Sequence, residues 1–460
     1  MTTDLQPERP NAYQEAWRLA WPLILSNISV PLLGMVDTAV VGHLPEPHHL
    51  GAVALGASAF SALFFTVVSL RMGTTGLIAQ AYGAGDRFGL QAGFFRALVL
   101  ASIVAMLMIL STDLIIDAAR WIYAPTDRVA ESTAIYLEIR LIAAPAALGN
   151  MVILGWLLGV QDSKGPLYLL LIGNGLNMAL DLLFVVGFGL EVAGVAWATV
   201  IAEYTTLLIG FWFVRRRFGS RQAGLSFSIL LEGAAMRRLA TVNVDIILRS
   251  LVLQIAFVSL VALGSRQGEV ILAANTVLSN MLHLSAFALD GFAFAASTLV
   301  GRHVGAGDRQ AMQQAVKAAL VWSVGFSLLI TLAFVLGGPW IILVITDIEA
   351  VRDAALHFLP YVIIGPLIGA TAFAFDGIYI GATRTKEMRN GMVGAVIVFG
   401  LVAWLLMPRL DNHGLWLAYH AFMITRAVWL SVVYRRLERG VGFSPPMDDS
   451  TSLVTTKRAT

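Results

Sequence analysis

Gly83-Ala84-Gly85-Asp86-Arg87 recurs, residue for residue, as Gly305-Ala306-Gly307-Asp308-Arg309, in a chain that is otherwise almost continuously apolar. The second copy starts 222 residues after the first (305 minus 83), and Gly42 with Gly264, Gly159 with Gly381 and Lys164 with Lys386 keep the same offset. The pattern predicts a duplicated chain whose two homologous bundles face each other, a plan that secondary transporters use to build a central substrate path.

Composition sets the solvent. Hydrophobic residues make up 58% of the chain and charged residues 13%, against about 25% charged in a soluble domain, so most helices must be apolar on every side. Apolar runs of about 20 residues or more match a hydrocarbon core about 30 Å thick. A net charge of +2 gives no reason to expect nucleic acid as a partner, and the absence of cysteine excludes disulfides and thiolate metal sites. The polar start, Met1 to Asn11, lacks the layout of a cleaved signal peptide.

Polar and Gly/Pro punctuation predicts spans over 14–43, 51–82, 91–119, 132–160, 166–188 and 190–216, then 236–264, 270–303, 311–345, 353–382, 388–407 and 412–436. The expected fold is an all-α membrane protein of twelve transmembrane helices, two parallel six-helix lobes related by a pseudo-twofold axis along the membrane normal. The expected division is a cytoplasmic segment 1–13, a first lobe 14–216, a connector 217–235, a second lobe 236–436 and a disordered tail 437–460. Odd-to-even turns hold five basic residues (Arg120, Arg128, Arg266, Arg352, Arg409), whereas the termini and even-to-odd turns hold twenty, among them Arg215, Arg216, Arg217, Arg237 and Arg238. That bias places both termini in the cytoplasm.

Ionisable groups inside the spans are where function is sought, because a carboxylate at mid-bilayer costs at least ~2.5 kcal/mol and needs a partner, a water-filled cavity or a proton. Asp37 lies deep in span 1 after Pro31 and Gly34. Asn174, Asn177 and Asp181 on span 5 are spaced three and four apart and share one helical face, and span 6 adds Thr199 and Glu203 four apart. Oxygens of this kind suit a hard cation such as sodium, and paired carboxylates can instead hold one proton. The competing reading is interhelical hydrogen bonding that only holds the bundle together. The repeat acts as a control: the positions 222 residues after Asp37, Asn177 and Asp181 are Ser259, Phe399 and Ala403. The acidic site exists in one lobe alone, which favours function over scaffold.

The second lobe carries Asp245 and Arg249, four apart on span 7 and expected to form an ion pair along one helix. It also carries Asp290 on span 8 with His283 two turns away, and Asp376 on span 10. Asp290, Asp376 and His283 are candidates for attracting a cationic substrate or relaying protons. Fifteen Met and 24 Phe offer adaptable lining for apolar ligands. His43, His48 and His49 read as an outer-loop cluster. The Gly-Ala-Gly-Asp turns are followed by no Gly-Lys-Ser/Thr and no nucleotide-binding domain, so ATP is not expected as the energy source, and no catalytic triad or His-Glu-x-x-His motif is present.

Several stretches carry a resemblance that runs from about Ala16 to Arg436: Pro31–Leu44 (PLLGMVDTAVVGHL), Ile153–Val160 (ILGWLLGV), Asn243–Ser250 (NVDIILRS), Ala288–Phe294 (ALDGFAF) and Ile380–Asn390 (IGATRTKEMRN). In these the chain resembles the DinF branch of the multidrug and toxic compound extrusion (MATE) family. The resemblance implies a V-shaped pair of lobes in the inner membrane. It also implies a monomeric antiporter, not an enzyme, that exports organic, often cationic or amphipathic compounds in exchange for protons or sodium, without a cofactor. It carries the family's coupling residues onto Asp37, Asn177, Asp181 and Thr199, which would also be the metal ligands if sodium is the coupling ion. The DinF branch leans the expectation toward protons. The alternative is a flippase for lipid-linked precursors, which would favour a strongly basic central cavity.

Overall fold

A computed structural model describes residues 11–42, 47–218 and 230–439, apart from the side chains of 28–42, 47–50, 62 and 64–67. Helices account for nearly all of it. In chain order they are α1 (Ala12–Gly42), α2 (Pro47–Val67), α3 (Ser69–Gly83), α4 (Arg87–Leu110), α5 (Thr112–Tyr123), α6 (Asp127–Ile142), α7 (Ala144–Gly159) and α8 (Lys164–Asp181), which continues as a π-helical turn over Leu182–Gly187. Next come α9 (Glu191–Phe218), α10 (Gly233–Ser265), α11 (Glu269–Gly305), α12 (Arg309–Ile345), α13 (Glu349–Gly381) and α14 (Thr385–Arg439), whose two arms meet at a break at Asp411 (φ 46°). Eight stretches of the described chain are long and apolar enough to cross a bilayer unaided, and the bent pair α6–α7 makes a ninth. Counting the two arms of α14 as separate spans makes ten, and α1 and the α2–α3 pair complete the twelve-span plan. Large apolar side chains such as Trp121, Leu336 and Val344 lie open on the outside, as expected where lipid is the solvent. The chain is a multi-pass membrane protein.

The quoted repeat is a pair of turns with one mechanism. Gly85 and Gly307 adopt φ of 67° and 68°, a conformation that a Cβ opposes, and so end α3 and α11. Asp86 and Asp308 then cap the next helices, accepting hydrogen bonds from the N–H of Gly89 and of Ala311 at 2.9 Å each.

Glycine also governs how the helices approach. A Cβ on Gly155 would lie 2.5 Å from the carbonyl oxygen of Arg71, and one on Gly377, its repeat equivalent, 1.9 Å from that of Ala293. In each lobe the second and fourth spans therefore meet backbone to backbone along a small-residue stripe. Between lobes the same device is reciprocal. A Cβ on Gly83 would meet Arg302 O at 1.8 Å, one on Gly305 would meet Gln80 O at 1.9 Å, and Gly301 sits against Ala79. Residue i touching j while the equivalent of j touches the equivalent of i is the signature of a twofold axis, and here that axis passes between α3 and α11.

Two features depart from the expected spans. Spans 2, 3 and 4, read as 51–82, 91–119 and 132–160, are each two helices, broken at Val68, Ser111 and Ala143; the third runs on to Tyr123. The break at Ala143 bends the span by 49° one residue before the Ala144-Pro145 pair, where proline removes an N–H and crowds the preceding turn. Secondly, the first half of α1 packs against the second lobe. Ala16, Leu19, Ala20 and Ile24 share a core with Phe292 and Ala296 of α11, the Asn27 amide donates to Phe287 O at 3.1 Å, and Trp322 donates to Tyr13 O at 2.9 Å.

Candidate functional site

The polar stripe on α8 points inward. Asn177 is 2% exposed and Asp181 fully buried, and α8 packs between α9 and α1. The Asn177 Nδ2 donates to Asp181 Oδ2 at 3.1 Å, and its oxygen accepts from Thr199 Oγ1 at 3.1 Å and from Thr199 N at 3.2 Å. Asp181, Asn177 and Thr199 thus form one chain of polar contacts across α8 and α9. Thr199 Oγ1 also reaches its own helix at Val195 O, 3.0 Å away.

A cavity of about 100 Å³ opens beside this chain, lined by Asn174, Asn177, Thr199, Glu203, Thr206 and Asn150. Asn150 on α7 was not singled out from sequence. Its amide donates to Glu203 Oε2 at 2.7 Å and to Glu203 O at 3.0 Å, so it orients that carboxylate. A lone amide in the apolar run Ala146–Leu158, replaced by Ala372 in the second lobe, was the signal available. The α1 backbone passes through position 37, but the Asp37 side chain lies outside the described residues, as do those of His48 and His49 and the whole of His43.

The second lobe distributes its charges differently from the expected pairing. Asp245 and Arg249 do not bond to each other. Asp245 accepts from Arg389 Nη1 at 2.6 Å and from Thr385 Oγ1 at 3.1 Å, both at the start of α14. Arg249, one turn on, binds Asp376 of α13, which also accepts from Arg426 Nη2 at 2.7 Å. Spacing four apart places two side chains on one helix face, but a buried ion can gain more from a neighbour aimed across the bundle than from a flexible pair along the surface. Asp376 is therefore one carboxylate clamped between two guanidiniums. Asp290 and His283 do come together, lining a cavity of about 350 Å³ with Arg249 and Arg426; His283 leans on Phe257, ring centroids 5.5 Å apart. Among the described residues no group of three or more His, Cys, Asp or Glu is placed to hold a metal ion. The Asp181, Asn177 and Thr199 oxygens have the hard-donor chemistry that suits sodium.

The MatE family profile matches residues 22–183 and 246–405, one block in each lobe. The chain belongs to the MatE family. A curated relative in Escherichia coli (strain K12), "DNA damage-inducible protein F", is 44% identical over 422 residues, 91% of each chain, in agreement with the DinF-branch resemblance of the motifs. "Probable multidrug resistance protein NorM" of Caulobacter vibrioides is 26% identical over 427 residues, 88% of each chain. A solved structure titled as the outward-facing conformation of a multidrug resistance MATE family transporter superposes with a TM-score of 0.84 at 20% identity, over 93% of this chain and 96% of that one. At that identity the likeness speaks for the fold. This MatE chain shares with it the two-lobe, twelve-helix architecture.

Proposed function

We propose that the chain is a secondary active antiporter of the inner membrane, with both termini in the cytoplasm, that exports organic amphipathic compounds in exchange for protons. The observation that carries this reading is the buried Asp181–Asn177–Thr199 chain beside a small cavity. The names of relatives such as the NorM protein support the drug-export half of the reading, and the excess of Lys and Arg in one set of loops supports the orientation.

The chain of contacts through Asn177 suggests how a proton is felt. An ionised Asp181 favours the amide that turns Nδ2 toward its oxygen. A protonated Asp181 is itself a donor, so the amide turns its oxygen to the carboxyl and gives Nδ2 to Thr199, whose hydroxyl then donates to Val195 O. One proton thus reverses a line of hydrogen bonds linking α8 to α9, and α1, which carries Asp37, packs on α8. Filling and emptying this site biases the lobes between states that expose the substrate path to opposite sides. Substrates are small molecules taken from the bilayer or the cytoplasm; the cycle uses no ATP, no nucleic acid and no cofactor, and a single copy suffices.

The test is efflux of an organic cation from proteoliposomes driven separately by a pH gradient and a sodium gradient. Asp181→Asn and Asp37→Asn are each expected to bring gradient-driven efflux to background while leaving the protein monodisperse. Undiminished efflux in both variants would overturn the assignment, and a response to sodium alone would transfer the same residues to sodium coupling.

A further inference from the structure

The second-lobe cavity differs in charge from the first. Arg249 and Arg426 are 7% and 3% exposed, and both bind the same oxygen of Asp376. Each guanidinium has five N–H groups. Arg249 spends one on Asp376, and Arg426 spends one there and one on Met423 Sδ at 3.3 Å. The Nε atoms of both arginines are buried without a partner, as is the second oxygen of Asp376. A third arginine, Arg71 of α3, stands over the ring of Phe294, 4.2 Å from its centroid and one helical turn along α11 from Asp290, and its Nε is likewise unpartnered. Arg71, Arg249 and Arg426 set against Asp376 and Asp290 leave a formal excess of one positive charge in a low-dielectric setting where an unbalanced charge is costly. Around them the 350 Å³ cavity is walled by aromatic rings, Phe257, Phe373, Trp416 and Tyr419.

From two half-satisfied guanidiniums beside an aromatic chamber, we infer that the second-lobe cavity binds amphipathic molecules bearing a carboxylate or comparable acidic group. Arg249 and Arg426 contact the anion and the rings cover the apolar body. This rests on the transport reading above for its biological role and narrows the substrate class: acidic or zwitterionic amphipaths are preferred to purely cationic ones. An incoming carboxylate takes the free N–H groups that Asp376 leaves over and cancels the excess charge. A bulky cation would instead add to that excess and leave the N–H groups unmet.

A matched probe pair isolates the acidic group: rhodamine B, which has a free carboxylate, and its ethyl ester, in which an ethyl group takes the place of that charge. Equilibrium binding to the purified full-length protein in a neutral detergent, followed by fluorescence anisotropy, is expected to favour the acid at least tenfold. Arg426→Gln should abolish this preference while Arg426→Lys retains part of it. Arg71→Gln, which breaks no hydrogen bond among those described, should weaken acid binding severalfold and leave the ester unchanged. Equal binding of acid and ester by the unaltered protein, or equal loss of both in Arg71→Gln, would overturn the inference. Gradient-driven efflux of the same probes separates the two readings: acid-selective binding without uphill movement of either probe removes the antiport proposal and leaves this site standing, whereas driven efflux of the ester with no acid preference does the reverse.

Discussion

The two lobes have one ancestral plan and two physical characters. The first has short helices broken at Val68, Ser111 and Ala143 and a π-turn directly after Asp181. The corresponding stretches of the second are continuous helices of 37, 37 and 33 residues, despite Pro339, Pro360 and Pro366 within them. The charges differ in the same sense. In the first lobe Asp181 meets the Asn177 amide, whereas in the second Asp376 is pinned by two arginines. Neither arrangement survives translation by the 222-residue offset: Asn27, Leu154 and Tyr204 stand where the other lobe has Arg249, Asp376 and Arg426. Duplication supplied the frame, and each lobe then acquired its own chemistry. A carboxylate clamped by two cations acts as structure, because its removal would leave two buried charges unmet.

The largest test of that contrast is a pair of deletions. Asp376→Ala strands two buried guanidiniums and is expected to destabilise the protein by about 3–5 kcal/mol. Asp181→Asn keeps a polar side chain of nearly the same shape and is expected to cost about 1 kcal/mol. Thermal unfolding in detergent compares them, and equal losses would erase the distinction. The shared frame is examined by Gly83→Ala and Gly305→Ala, whose new methyl groups meet main chain on opposite sides of the twofold axis. Each should destabilise by about 1–3 kcal/mol, and a large inequality between them would show that the crossing is not symmetric. The smallest expected effect lies in the caps, where Asp86→Ala and Asp308→Ala should each lower stability by about 1 kcal/mol, equal within error because both make the same 2.9 Å bond.

Much of this was legible without coordinates because bilayers impose simple rules. Twelve spans followed from hydropathy and the repeat, and the inward face of α8 from the three-and-four spacing of Asn174, Asn177 and Asp181. What remained hidden depends on contacts between distant segments. Asp245 and Arg249 looked like partners because spacing along one helix is all that a sequence displays, and nothing in it shows that Arg389 and Asp376 arrive from α14 and α13. Asn150 gave only a weak signal, since one amide in an oily run has no period. The break at Ala143 has proline as its local sign, but those at Val68 and Ser111 have no proline nearby. The early segment of α1 was assigned to the first lobe by chain order, yet its core partners belong to the second.

Where α3 crosses α11, the surfaces in register are peptide units, because glycine has removed the side chains that would separate them. Beside that contact the Gln80 amide donates to Gly381 O at 3.0 Å and to Thr383 Oγ1 at 3.1 Å, so a single side chain ties the main-chain crossing to the opposite lobe. A contact on a rotation axis is displaced least when one body turns against the other, whatever the travel at the far ends of the helices.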